Sequence, residues 1–192
     1  GGGADTVRPA ATLGGGQGPR PRPSPDASPR PRMPLGEADP LPSIEVVWRQ
    51  LARFGFRDVT VITGYLTELI EAFCGTGKKF NTRLTYRREE TPLGTAGSVK
   101  QAEKWLDETF LLISGDAITD FDLTRALAFH KAKGALATLV LKRMPNPLEY
   151  GVVIIDDEGR IKQFQEKPSW GEVFSDTVNT GIYVLEPSVL GY

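Results

Sequence analysis

The chain has 192 residues, and 23 lysines and arginines against 24 aspartates and glutamates leave a net charge of −1. That length allows one domain with a substantial core, with or without an extension. The balanced charge gives no electrostatic reason to expect nucleic acid or membrane as partner. No apolar run approaches a membrane span, and the N-terminus lacks the charged-then-apolar order of a signal peptide. A single cysteine, Cys74, cannot close an intramolecular disulfide, which suits a reducing, cytoplasmic setting. Its place at the end of an amphipathic helix suits packing rather than nucleophilic attack. The single histidine, His130, is expected on a surface helix beside lysines, so a His-based triad or His-rich metal site is excluded.

Composition changes near Ser43. Before it, glycine, proline and arginine dominate, and Pro19-Arg20-Pro21-Arg22-Pro23-Ser24-Pro25 alternates proline with basic or polar residues. Taken alone, this is a disordered or polyproline-II arm, because it buries too little apolar area to offset its ordering entropy. A ligand for an SH3-like groove is the alternative. From Ser43, an N-cap, the residues Ile44, Val47, Trp48, Leu51 and Phe54 share one helical face that Gly55 ends. Asp58 to Ile62 is a β-branched strand. A helix follows through Leu66, Leu69, Ile70 and Phe73 and closes at Gly75. Thr82 to Tyr86 is a short strand, Val99 to Leu106 a helix, Phe110 to Ile113 a buried strand and Leu123 to Ala132 a helix ending at Gly134. Ala135 to Leu141 is almost wholly apolar and is expected to be a central strand. Gly151 to Ile155, the turn Asp156 to Gly159, and Arg160 to Phe164 form a hairpin. Thr180 to Leu185 is the last strand. Helix and strand alternate up to Leu141 and strands dominate afterwards. This predicts an α/β fold of Rossmann type with an antiparallel appendage.

Two stretches carry most of the chemistry. Glu89-Glu90-Thr91-Pro92-Leu93-Gly94-Thr95-Ala96-Gly97 is expected as a loop opening a helix, where outward amides and the helix dipole favour a polar ligand. Its small, Gly-punctuated residues let a base or phosphate lie against the backbone. The acceptor-only pair Glu89 and Glu90 suits the donor edge of guanine; a plain turn is the structural alternative. Leu111 to Asp116 is a buried strand ending in a carboxylate, where open α/β sheets present their chemistry. Asp116 is a hard oxygen ligand suited to Mg²⁺, or else a turn cap. Asp120 and Asp122 are better explained as a turn residue and a helix N-cap. Glu166-Lys167-Pro168 offers a cation for phosphate and a carboxylate for sugar hydroxyls, or an exposed ion pair. Asn179-Thr180-Gly181 offers an amide to read hydroxyls, or a turn. Gly75-Thr76-Gly77-Lys78-Lys79 lacks the spacing of a phosphate loop and follows a helix, so it is a cap with a basic turn.

With Tyr150-Gly151-Val152-Val153, Phe164 to Pro168 and Asn179-Thr180-Gly181-Ile182-Tyr183 in this order and spacing, the chain resembles the sugar-phosphate nucleotidyltransferases. Its wording, including Pro168-Ser169-Trp170-Gly171-Glu172, is most similar to that of the bacterial mannose-1-phosphate guanylyltransferases. The resemblance implies a Rossmann-like mixed, mainly parallel sheet with helices on both faces and a small antiparallel sugar-binding portion. In that arrangement 1–9 is a disordered tail and 10–192 the nucleotidyltransferase domain, with Ala10 to Leu13 a strand and 14–42 a Gly/Pro/Arg-rich loop region. The implied activity joins a nucleoside triphosphate, GTP by the Glu89 argument, to a sugar 1-phosphate such as mannose 1-phosphate, with Mg²⁺. The implied roles are catalysis by Arg20, Arg30 and Asp116 with Arg22 assisting, and metal binding by Asp116. Gly15, Gly16, Gly18, Glu89 and Gly94 would bind nucleotide, and Gly151, Glu166, Lys167 and Asn179 the sugar phosphate. Partners are these substrates, without nucleic acid or membrane; homo-oligomers are open. The family signature is altered here by Pro19, Pro21, Ser24, Pro25 and Arg30, and Pro19 and Pro21 remove backbone donors from a phosphate cradle. The family's second metal-ligating aspartate has no candidate after the Asn-Thr-Gly strand, as expected for the first part of such an enzyme. A non-catalytic binding subunit of the same fold, and a glucose-1-phosphate uridylyl- or thymidylyltransferase, are the alternatives.

Overall fold

The computed structural model describes residues 8–14, 43–64, 67–91, 93–169, 171 and 173–192. Strands β1 (Arg8–Gly14), β2 (Phe56–Thr63), β3 (Arg83–Arg88) and β4 (Phe110–Ser114) pair in parallel in the order β3-β2-β1-β4. Helices α1 (Ser43–Arg53), α2 (Thr67–Cys74) and α3 (Gly94–Gln101) lie in the connections between them, as parallel pairing requires. After α4 (Leu123–Lys133) come β5 (Ala137–Arg143), the hairpin β6 (Gly151–Ile155) with β7 (Ile161–Glu166), and β8 (Thr177–Leu185). β8 reverses direction beside β4, and both β5 and β6 pair antiparallel to it. The expected mixed α/β sheet with an antiparallel portion is what forms.

The core has two layers, set by alternation along the strands. On one face, Val47, Trp48 and Leu51 of α1, Cys74 of α2 and Leu123 of α4 pack on Val59, Val61, Leu111 and Ile113. On the other, Val99 of α3 with Ala102 and Leu106 pack on Ala11, Ile62, Phe110 and Leu112. Cys74 is buried, accepts a hydrogen bond from Trp48 Nε1 at 3.3 Å and is a packing residue. Burial pushes its thiol pKa up, away from nucleophilic use.

Several expectations change. β1 starts at Arg8, so Arg8 and Pro9 belong to the sheet rather than to a tail. Its weakly apolar sequence suffices because it is paired on both edges, and buried Ala10 and Ala11 leave room for helices on each face. α3 begins at Gly94, not Val99, and ends in a 3₁₀ turn at Glu103–Trp105, so the supposed loop 94–97 is the first turn of the helix. In α2, Leu69 is 64% exposed and Phe73 37% exposed, while Ile70 packs on the core between buried Thr67 and Cys74, so only part of the expected apolar face turns inward; Leu66 lies outside the described residues. β5 is not central: among the described residues it pairs only with β8. Its apolar run reports a half-covered face, with Val140 packed on the core, rather than a place mid-sheet.

His130 is also displaced from its expected surface position. It is 1% exposed, and its Nδ1 contacts Thr138 Oγ1 at 2.8 Å while Nε2 contacts Glu186 Oε1 at 2.9 Å. The Thr109 hydroxyl also donates to Glu186 Oε1, at 2.7 Å. One carboxylate thus ties α4 to the start of β4 and the end of β8. The Thr109 hydroxyl first, and then the His130 imidazole, hold the Glu186 pKa below its ordinary value of 4.5. A depressed carboxylate stabilises the fold above its unfolded pKa, and that contribution is lost as pH falls through the folded value. The urea midpoint is therefore expected to drop below about pH 4.5, and Glu186→Gln to flatten that acid limb. An unchanged limb in the variant would count against the tie.

Candidate functional site

The parallel strands end along one edge, where register sets neighbours. Gly14 lies opposite Thr63 at the end of β2, Thr63 opposite Arg88 of β3, and Leu13 opposite Ser114 of β4. From β1 the chain proceeds to β2 on one side, while β4 lies on the other. Connections leaving in opposite directions open a crevice at this switch point. Gly15, Gly16, Gly18, Arg20, Arg22 and Arg30 follow directly from the end of β1 but lie outside the described residues.

Asp116 sits two residues past β4, beside the end of β1, and is exposed. Its Oδ1 accepts from Ser114 Oγ at 2.6 Å, and Ala117 N donates to Ser114 O at 3.0 Å, so a tight turn holds the carboxylate at the strand end. Among the described residues no group of three or more His, Cys, Asp or Glu gathers to hold a metal. Asp116 presents an exposed carboxylate, and a carboxylate oxygen is the kind of donor that suits a hard cation whose other ligands are phosphate and water.

On the β2–β3 side, Glu89 N donates to Thr63 O at 2.7 Å. Glu89 Oε1 accepts from Ser98 Oγ and, at 3.4 Å, from Leu93 N. That oxygen braces the segment into α3, which the sequence reading did not foresee. Ser98, nine residues away, carries no periodic signal that would have found it. Gly94 has φ +70° with open space where a Cβ would point, and α3 starts without a side-chain cap at Leu93. Uncapped first-turn amides beside an open backbone suit an anionic ligand.

On the β4–β8 side a cavity of about 210 Å³ opens between Ala117–Phe121 and Val178–Ile182, with Lys142, Met144 and Tyr150 completing its wall. Asn179 lies inside β8, not in a turn. Leu139 pairs with Tyr183 and Leu141 with Asn179, so Thr180, Gly181 and Ile182 face the single Val140. This bulge explains the triplet. Gly181 takes φ +76°, its N donates to Asn179 Oδ1 at 3.2 Å, and Thr180 Oγ1 donates to Val140 O at 2.7 Å in place of a ladder bond. Asn179 Nδ2 donates to Tyr183 OH at 2.6 Å. Glycine within a strand run was the available signal.

Gly151 pairs with Glu166 across the hairpin, and a Cβ on Gly151 would fall 2.7 Å from Glu166 Oε2 and from Phe164 Cζ. Lys167 follows with φ 43°, a left-handed conformation costly for a side-chain-bearing residue, and its N donates to Tyr150 O at 3.0 Å. Tyr150, Gly151, Glu166 and Lys167 therefore form one unit, joined to the cavity through Tyr150. Asp122 caps α4, accepting from Thr124 N and Arg125 N. Asp120 has no such bond among the described residues and lines the cavity instead.

Residues 10–192 match the family model described as nucleotidyl transferase. Among curated relatives, a UTP–glucose-1-phosphate uridylyltransferase from Synechocystis is 38% identical over 165 residues, covering 79% of this chain and 42% of that protein. A mannose-1-phosphate guanyltransferase from Schizosaccharomyces pombe is 36% identical over 163 residues, covering 82% and 44%. The chain thus spans less than half the length of these relatives. Among solved structures, a putative glucose-1-phosphate thymidylyltransferase from Bacillus anthracis in complex with a sucrose superposes with a TM-score of 0.81 at 25% identity, covering 97% of this chain and 74% of that one.

Proposed function

The chain belongs to the nucleotidyl transferase family, and from that premise we propose that it joins a nucleoside triphosphate to a sugar 1-phosphate and releases pyrophosphate. The observation that carries this is Asp116 just past the end of β4 at the β1/β4 switch point, one residue before Ala117, which lines a cavity whose wall also holds Asn179. A phosphate oxygen of the sugar 1-phosphate attacks the α-phosphorus in line, the bond to the bridging oxygen breaks, and pyrophosphate departs. Such a step depends on positioning and charge neutralisation rather than a covalent intermediate.

In this reading Asp116 would hold Mg²⁺, and when bound there the ion supplies charge neutralisation at the phosphates. Arg20, Arg22 and Arg30 would offset charge on the α-phosphate and leaving group, with Gly15, Gly16 and Gly18 giving the phosphates close access to the backbone. Glu89 positions the segment against which the base lies, and Gly94 leaves room for it. Gly151, Glu166, Lys167 and Asn179 would bind the sugar phosphate. The acceptors Glu89 and Glu90 favour GTP, and the guanyltransferase relative supports mannose 1-phosphate. The uridylyltransferase relative, at slightly higher identity, supports UTP with glucose 1-phosphate as the second reading. The single, buried thiol supports a reducing, cytoplasmic setting.

The test offers GTP or UTP with mannose or glucose 1-phosphate and Mg²⁺, and follows pyrophosphate. Release that requires both substrates is expected. Nucleotide binding with no release from any pair would overturn catalysis in favour of a binding role. A narrower test is Gly151→Ala. The added methyl displaces the ends of Glu166 and Phe164, both exposed, so the urea midpoint is expected to hold while KM for the sugar phosphate rises about tenfold. A collapse of the midpoint, or a rise in nucleotide KM instead, would contradict the placement.

A further inference from the structure

The cavity beside Asp116 holds two charged side chains that the fold does not use. Asp120 leaves the capping of α4 to Asp122, and Lys142 projects from β5 at the register position of Val178. Among the described residues neither makes a hydrogen bond or ion pair. Each is exposed to the cavity, whose remaining wall alternates apolar Ile118, Phe121 and Met144 with polar Thr119, Asn179 and Thr180. A free acceptor, a free donor and apolar surface together match a sugar ring, whose hydroxyls both give and take hydrogen bonds while its C–H faces pack on hydrocarbon. About 210 Å³ also fits one monosaccharide better than a whole nucleotide, since drug-sized ligands occupy roughly 300–1,000 Å³.

We propose that Asp120 and Lys142 are specificity residues that bind hydroxyls of the sugar remote from its phosphate. This rests on the sugar 1-phosphate reading above and adds the residues that read the sugar's hydroxyls. Asp120 accepts from a hydroxyl, Lys142 donates to one, and a deoxy analogue leaves one of these groups unpaired. A site built to bond a hydroxyl rejects the analogue lacking it far more strongly than an apolar pocket rejects a lost methylene.

The test uses the full chain with Mg²⁺ and saturating GTP or UTP, whichever supports turnover, and compares mannose and glucose 1-phosphates with their 4-deoxy and 6-deoxy analogues. The unmodified protein is expected to show a KM at least about tenfold higher for one analogue. Lys142→Met and Asp120→Leu, which lack the donor and the acceptor respectively, are expected to raise KM for the parent sugar by a similar factor, leave KM for the nucleotide unchanged and each erase the penalty for the hydroxyl it bound. Lys142→Arg, which keeps the charge, should recover most of the affinity. Variants that match the unmodified protein, or that weaken parent and deoxy sugars alike, overturn the assignment while the sugar 1-phosphate reading stands. No pyrophosphate from the unmodified chain with any sugar overturns that reading and this assignment with it.

Discussion

Asparagine in place of Asp116 is expected to cut pyrophosphate release by at least about 100-fold, on the scale of losing one preorganised electrostatic contact in a transition state, while thermal stability stays where it was. The substitution keeps the shape of the side chain and an oxygen to accept from Ser114 Oγ, so the turn after β4 persists. It removes only the charge. Because Asp116 is exposed, its replacement falls in the class of surface changes worth about ±0.5 kcal/mol or less. Among the described residues no neighbouring cluster could take over a cation. Ser114→Ala provides the contrast, since it loses the hydroxyl that orients the carboxylate but keeps the charge, and should cost far less. Steady-state rates with Mg²⁺ varied separate the two. Asp116→Asn should lose its Mg²⁺ dependence, and Ser114→Ala should keep it. An asparagine variant within tenfold of the unmodified protein sinks the role given to Asp116.

The legible parts of the fold were those governed by local rules. The β-branched run of β2, the αL glycines at 55, 75 and 134 and the Asp122 cap each depend on a few adjacent residues, and each stands where spacing placed it. What sequence could not show depends on partners distant in the chain. An apolar run cannot say whether one or both of its edges are paired, so the sequence of β5 reads as mid-sheet although the strand pairs with β8 alone among the described residues. Lysines beside His130 hid its contacts with Thr138 and Glu186, the latter 56 residues downstream. The same limit applied in the site. The positions of Asp116 and of the Gly151–Lys167 unit were readable because a motif marks each. The brace from Ser98 to Glu89 and the two unpaired charges in the cavity join segments that share no motif.

The largest effect on stability is expected at Trp48, where alanine should cost about 3–5 kcal/mol, much of the roughly 5–15 kcal/mol that holds a domain of this size folded. Trp48 is fully buried and lies in the layer that joins α1 to β1, β2 and β4 through Ala10, Val59 and Leu111. Its removal leaves a cavity inside a layer where Val47 and Leu51 are also fully buried. It also strips Cys74 Sγ of its donor. Phenylalanine at 48 separates the two contributions, since it keeps most of the apolar volume and loses the indole N–H. It should cost about 1–2 kcal/mol. Urea unfolding followed by circular dichroism measures both. A Trp48→Ala loss under about 1 kcal/mol would mean that α1 is not docked on this face. The consequence reaches the site, because β1, from whose end the glycine and arginine segment departs, owes one of its two packed faces to this helix. Trp48→Ala should therefore lower activity at temperatures where Trp48→Phe still works, with KM values unchanged in the fraction that remains folded.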